Sequence, residues 1–399
     1  MDTQRLKATW AQVATHGDDV PSYFYAHLFV THPELRQMFP LVMSAQRDRL
    51  VGALGAVVSS VDDLGSVVPF VEQLGRDHRR FSVIPEHYDA VGASLLWTLG
   101  HFLGEHWTPE VAADWASAYG IVASTMLGAA EESQLSQPAW WEAEVVDKER
   151  VSREISTFRI RLAETMTYQA GQSMAMSIPQ VERAWRFYSP ANAQRPEDTI
   201  DLNVAVVAGG LVSGSFVGRV QPGDVVRIGA PVGTGLVLPA EDDADLLMVA
   251  GNTGLAPFLA ILDDVVRQRQ EGGPQRRVHI VHGVRFPWNL YATKRLEGLT
   301  GEDWFRYTPV VSDDPSYPGR RGLVGDVAAE LAFEGRYEAL LCGSPPMVRH
   351  ASTALTRGEH PPANLRYEEY ADMPVGSEAP VATAAAGSDI PPPAQGASS

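Results

Sequence analysis

Apolar positions along the chain follow three successive rhythms. Through the first third they recur every three to four residues. Val20, Phe24 and Leu28 form one stripe, Leu50, Leu54 and Val57 a second that the lone amide of Gln46 opens, Tyr88, Val91, Leu95, Leu99 and Phe102 a third, and Trp115, Tyr119, Val122 and Met126 a fourth. Thr108, Pro109 and Glu110 mark a helix start, with threonine as cap and proline in the first turn. Residues 1–136 are therefore expected to be all-α. From "WWEAEVVD" onward the rhythm shortens to alternation, in "EISTFRIRLAE", "QSMAMSI", "DLNVAVVA" and "DVVRIGAP", broken by Gly and Pro. This predicts a small antiparallel barrel or sandwich over residues 137–240. From residue 241 to 373 continuous apolar runs such as "DLLMVAG", "RRVHIVHG" and "EALLCGS" alternate with helical stretches, the pattern of a parallel, doubly wound α/β sheet. Residues 374–399 contain no aromatic side chain and are rich in Ala, Pro, Gly and Ser, so a disordered tail is expected there.

One position breaks the helical pattern. In "FVEQLGRDHRRF", Phe70, Leu74 and His78 are spaced by four and share one otherwise apolar face, so the stretch is expected to be helical with an imidazole among its buried side chains. Alone, such a histidine is better explained by a core role with its nitrogens hydrogen-bonded.

Composition narrows the classes. At 399 residues, two or three domains are expected. A net charge of -17 without a basic stripe excludes sequence-independent binding to nucleic acid or anionic lipid. The single cysteine, Cys342, excludes an internal disulfide and fits a reducing compartment. The amino terminus lacks the apolar core and cleavage site of a secretory signal, and no window approaches about 18 uninterrupted apolar residues, so a cytoplasmic location is expected.

Five short motifs carry chemistry in the second half. In "RFYS", Arg186 can pair with a diphosphate, Tyr188 can lay its ring on an isoalloxazine, and Ser189 can hydrogen-bond near its reactive N5. In "AGGLVSGSF", Gly210, Val212 and Ser213 let backbone N–H groups approach a phosphate. In "VAGNTGLAPFLAIL", a buried strand runs through Gly251, Thr253 and Gly254 into a helix bearing Pro257, which directs unpaired donors at an anionic ligand. "LLCGSPPMV" brings Cys342 and Gly343 to a strand end suited to a nicotinamide, and "YEEYAD" offers Tyr370 for the second flavin face. Each motif is common by itself. Their order resembles the ferredoxin reductase family.

Such a reductase behind an all-helical domain resembles the flavohaemoglobins over nearly the whole chain. The resemblance implies an all-α globin, then an antiparallel β-barrel FAD-binding domain, then a doubly wound NAD(P)-binding domain. It implies haem b, FAD and NADH or NADPH as cofactors. It places Tyr25 as distal tyrosine with Gln46, Phe39 and Leu50 against the haem, His78 as proximal iron ligand, Tyr88 beside it, and Glu368 at the junction of the flavin and haem domains. Two positions depart from the family pattern. Asp77 replaces a lysine, and Glu131, the expected carboxylate behind the proximal histidine, falls one residue late, with Ala130 at the family position. One residue turns a helical side chain by about 100°.

The activity this implies is NAD(P)H-driven conversion of nitric oxide and dioxygen to nitrate by a monomer or weak dimer whose partners are small molecules. NADH is the expected reductant, because no basic cluster accompanies Arg285 to meet a 2′-phosphate. The alternatives are a reductase for other oxidants, such as hydroperoxides or quinones, and a haem gas sensor.

Overall fold

A computed structural model describes residues 1–239 and 242–369; the expected tail and Tyr370 lie outside the described residues. The chain divides into two compact units that meet between Thr234 and Gly235, the helical part and the barrel sharing the first.

The helical part contains α1 (Thr3–Ala14), α2 (Asp19–Thr31), a 3₁₀ turn (Pro33–Met38), α3 (Ser44–Ser59), α4 (Leu64–His78), α5 (Pro85–Leu103) and α6 (Pro109–Gln134). The helix starts follow local chemistry. Asp2 accepts the Arg5 N–H at 3.0 Å, and Thr108 accepts that of Val111 at 3.4 Å ahead of Pro109. The stripes read from the sequence point inward, and Leu28 and Leu99 are wholly buried.

The helix expected over Phe70 to Phe81 is shorter than its pattern. It ends at His78, and Arg79–Phe81 tighten into a 3₁₀ turn closed by Ser82 at φ 56°. The last imidazole of α4 thus sits at a helix end.

The crossing of α4 and α6 depends on Gly75. A Cβ built there would lie 2.2 Å from the Met126 carbonyl oxygen, so the two backbones touch. Gly75→Ala is expected to force the helices apart and destabilise the helical part by about 3 kcal/mol, the upper end for overpacking. Thermal unfolding followed by helical circular dichroism measures it, and an unchanged melting temperature would contradict so close a crossing.

The rest of the first unit is a six-stranded antiparallel sheet of β1 (Trp141–Arg150), β2 (Ile155–Leu162), β3 (Ser173–Ile178), β4 (Val181–Tyr188), β5 (Thr199–Ala205) and β6 (Val225–Val232), in the order β4-β3-β6-β1-β2-β5. Beyond β4, a bridge between Pro190 and Leu202 joins the two edges and curls the sheet toward closure. Alternate residues, such as Phe158, Ile160, Leu202 and Val204, fill the interior with Phe216 of α7 (Leu211–Arg219).

The second unit is a parallel sheet of β7 (Asp245–Gly251), β8 (Val278–Val284), β9 (Phe305–Val311), β10 (Arg320–Arg321), β11 (Tyr337–Gly343) and β12 (Asn364–Glu369), with α8 (Leu255–Gln270), α9 (Thr293–Glu297), α10 (Val324–Glu330) and α11 (Pro345–Arg357). The order β10-β9-β8-β7-β11-β12 reverses direction between β7 and β11. That reversal opens a crevice beyond the strand ends, the usual ligand position in such sheets. Among the described residues no helix is long and apolar enough to cross a membrane.

Candidate functional site

Side chains of the helical part gather into two clusters. Tyr25, Phe39 and Leu50 belong to the first, built mainly on α1, α2, α3 and α5. Tyr25 is buried, with its ring among those of Phe24, Phe29 and Phe39 at centroid distances of 4.9, 5.7 and 5.5 Å. Its hydroxyl accepts a hydrogen bond from Gln46 Nε2 at 3.2 Å and makes only a 3.5 Å contact to the Gln46 carbonyl as donor. Burial pushes the Tyr25 pKa up to about 12, against the opposing bond from Gln46, so the phenol stays protonated and can donate.

Leu74 and Tyr88 belong to the second cluster, with Val71 and Met126 of α4 and α6. His78 Nδ1 lies 2.6 Å from the Leu74 carbonyl oxygen. A carbonyl can only accept, so Nδ1 carries the proton and Nε2 is left with a lone pair and no hydrogen bond among the described residues. Burial is the largest influence on the ring and lowers its pKa, favouring the neutral form that can bind iron.

The carboxylate expected behind His78 is corrected by this geometry. α6 continues unbroken to Gln134 with Ala129 and Ser133 facing inward, which leaves Glu131 exposed. The partner of His78 is instead the neutral Leu74 carbonyl. Asp77 accepts hydrogen bonds from Gln73 and Arg80, each at 3.3 Å. Tyr88 is buried in the second cluster, with its pKa pushed up to about 12 by burial.

At the flavin motif, β4 sets Arg186 beside Met176 and Tyr188 beside Met174 of β3. The Tyr188 ring meets Phe216 edge-on at 5.4 Å, and burial raises its pKa. The Ser189 hydroxyl is buried with no hydrogen-bond partner among the described residues. Such an orphan calls for a ligand acceptor or donor, which fits the flavin edge the motif is suited to. In the second loop, Ser213 accepts the Val207 N–H at 3.1 Å and, with buried Val212, anchors the start of α7; a Cβ on Gly210 would press on the Ser213 hydroxyl at 2.7 Å.

In the second unit the switch point collects the remaining residues. Gly251 ends β7 and Gly343 ends β11, and a Cβ on Gly343 would approach the Gly251 Cα to 3.3 Å. A Cβ on Gly254 would lie 2.1 Å from the Cys342 carbonyl oxygen. Thr253 lies in the 3₁₀ turn between β7 and α8, and Pro257 is buried in the first turn of α8. Glu368 is buried on β12 in register with Cys342.

Sequence reading missed His282. It is fully buried on β8, its Nε2 2.9 Å from the Asn252 carbonyl and its Nδ1 3.3 Å from the Tyr307 hydroxyl. Burial lowers its pKa to about 4, so the ring is neutral and its Nε2–H fixes Asn252, which sits at φ 51° in the glycine turn. The signal was two histidines in the otherwise apolar run "VHIVHG". His282→Leu is expected to loosen that turn and raise KM for NADH about tenfold, the equivalent of about 1.4 kcal/mol for one hydrogen bond. Steady-state reduction of ferricyanide checks it, and an unchanged KM would remove His282 from the nucleotide site.

Three family models cover these parts in order: globin over residues 22–126, oxidoreductase FAD-binding domain over 142–235, and oxidoreductase NAD-binding domain over 248–353. A flavohemoprotein of Bordetella parapertussis is 31% identical over 73% of this chain and 78% of its own. The crystal structure of a Malassezia yamatoensis flavohemoglobin with bound FAD and heme superposes with a TM-score of 0.73 at 16% identity, covering 92% of this chain and 98% of that one. The flavohem-like FAD/NAD-binding domain of nitric oxide dioxygenase from Vibrio cholerae gives a TM-score of 0.50 at 20% identity over 58% of this chain and 98% of that one. With the globin, FAD-binding and NAD-binding parts in this order, the chain belongs to the flavohaemoglobin family.

Proposed function

We propose that this protein oxidises NADH and converts nitric oxide with dioxygen to nitrate, using haem b and FAD, in the cytoplasm. The observation that carries the reading is the hydrogen bond between buried Tyr25 and half-buried Gln46 in a chain that also offers His78 Nε2 at the end of α4. A protonated phenol held by an amide among apolar rings would be a donor for the negative charge that develops on a bound diatomic ligand. The Vibrio relative of the reductase half is described as a nitric oxide dioxygenase, which agrees with it.

When bound, haem supplies the iron at which the gases react, and FAD divides the hydride pair into single electrons. The chain's own residues have separable duties. His78 Nε2 would hold the iron, while the Leu74 carbonyl fixes the tautomer and ring direction. Phe39 and Leu50 would pack on the haem, with Tyr88 bounding the proximal side. Arg186 would meet the FAD diphosphate with the Gly210 loop, Tyr188 would cover the ring, and the Ser189 hydroxyl would bond its polar edge. Gly251, Thr253, Gly254 and Pro257 would bear the nucleotide phosphates, with the nicotinamide near Cys342 and Gly343.

NADH is favoured over NADPH by a charge beside Arg285. Asp313 holds that guanidinium at 2.7 Å, so a 2′-phosphate would meet a carboxylate and an already engaged cation. A second reading, reduction of other small oxidants, draws on the proximal side. A carbonyl behind the imidazole donates less electron density than a carboxylate would and weakens the push toward O–O chemistry. Tyr25→Phe separates the two readings. The ring packing is kept and the donor removed, so nitric oxide consumption is expected to fall on the order of 100-fold while NADH-driven cytochrome c reduction stays constant. An equal loss in both assays, or none, would contradict the proposed role.

A further inference from the structure

Asp77 and Arg80 bracket the proximal histidine and are both buried, at 6% and 5% exposure. The Arg80 guanidinium donates through Nη1 to Asp77 at 3.3 Å, while its Nε and Nη2 have no hydrogen-bond partner among the described residues. Three rings surround it instead: Phe81 from the turn after α4, and Trp185 and Phe187 from β4, at 5.4, 5.7 and 5.7 Å to their centroids. The fourth wall is Gly229 of β6, where a Cβ would come within 3.2 Å of Nη1. The same β4 carries Arg186 and Tyr188. Next door, Arg79 ties the end of α4 to Ser133 of α6 at 2.7 Å and to the Gln137 carbonyl just beyond α6 at 2.8 Å. Rings continue toward the ligand, with Phe81 6.2 Å from His78 and 6.4 Å from Trp185.

A buried guanidinium with one carboxylate and three π faces is costly to desolvate, and hydrophobic residues of the same volume often serve stability as well or better. Its charge therefore needs another reason. We propose that Asp77 and Arg80 form a charge-compensated clamp that docks the iron-ligand helix on the flavin strand and sets the reduction potential of iron held by His78. They are positioning residues, acting through His78 and β4, and the proposal rests on the haem reading above. The paired charges, a carboxylate and a guanidinium 3.3 Å apart on either side of His78 in the chain, act in opposite directions on nearby positive charge, Asp77 favouring it and Arg80 disfavouring it. In the one-electron change from ferric to ferrous iron, an uncompensated Arg80 favours the ferrous form, because gaining an electron lowers the positive charge it faces.

The experiment is an anaerobic redox titration of the haem Soret band in the full-length holoprotein, for wild type, Asp77→Asn and the double variant Asp77→Asn/Arg80→Met. Asp77→Asn keeps the shape and leaves Arg80 charged, so the ferric–ferrous equilibrium is expected to shift about tenfold toward ferrous, a rise of about 59 mV for one electron. Removing both charges is expected to return the potential to within about twofold of wild type in that equilibrium. A purely structural role predicts the reverse order, with the double variant furthest from wild type, and overturns the proposal. An unmoved potential in Asp77→Asn also overturns it. A wild-type protein with no Soret band sinks the haem reading instead, so the two failures are told apart. If the double variant does not fold, the single one still decides, since a fall or no change in its potential contradicts the clamp.

Discussion

Replacing His78 with alanine is expected to remove the haem Soret band from the purified protein while the flavin absorption stays. The imidazole is presented with Nδ1 spent on the Leu74 carbonyl and Nε2 unbonded, at the last position of α4. Among the described residues no group of three or more His, Cys, Asp or Glu side chains is placed to hold a metal ion. NADH-driven ferricyanide reduction is expected to continue, because the flavin and nucleotide residues lie on other elements. Nitric oxide turnover is expected to fall below detection, and free imidazole added to the variant is expected to restore part of the Soret absorption. A variant that keeps a full Soret band would show that iron is bound elsewhere.

The second large effect falls in the other unit. Gly254→Ala puts a methyl group 2.1 Å from the Cys342 carbonyl oxygen, a distance that no rotamer change relieves because both atoms belong to the backbone frame. The glycine turn and the end of β11 must separate, and these are the two walls of the switch-point crevice. With overpacking worth about 1–3 kcal/mol, KM for NADH is expected to rise about 10- to 100-fold and the melting temperature of this unit to fall. Reduction of bound flavin by NADH in a stopped-flow experiment measures the first. Reduction by dithionite is expected to be unaffected, which separates loss of the nucleotide site from loss of the flavin. Normal NADH kinetics would place the nucleotide elsewhere.

Most of the architecture was legible because each part has its own period. The stripes containing Leu28 and Leu99, the alternation of Phe158 and Ile160, and the continuous run around Val249 state which face is buried without reference to the rest of the chain. The candidate site was legible where a residue type conflicts with its surroundings, as His78 and Gln46 do on apolar faces, and their roles there are proposals. Contacts between distant backbones were not. Nothing near Gly75 announces Met126, and nothing near Gly254 announces Cys342, because a missing side chain leaves no local trace of what occupies its space. The buried clamp was hidden for a related reason. "GRDHRRF" looks like a solvated charged helix end, and only the arrival of Trp185 and Phe187 from β4 turns Arg80 inward. The late position of Glu131 was visible in the sequence. Its consequence follows from α6 remaining a regular helix, so that the shift moves the carboxylate to the exposed face instead of being absorbed.

The most direct test of the central claim is the stoichiometry of nitrate formed to NADH consumed when the holoprotein is supplied with nitric oxide in aerated buffer. Two molecules of nitric oxide and two of dioxygen take up the two electrons of one NADH to give two nitrate ions, NAD⁺ and a proton. The account predicts two nitrates per NADH at a rate that rises with nitric oxide. NADH oxidation that ignores nitric oxide and yields no nitrate would contradict it.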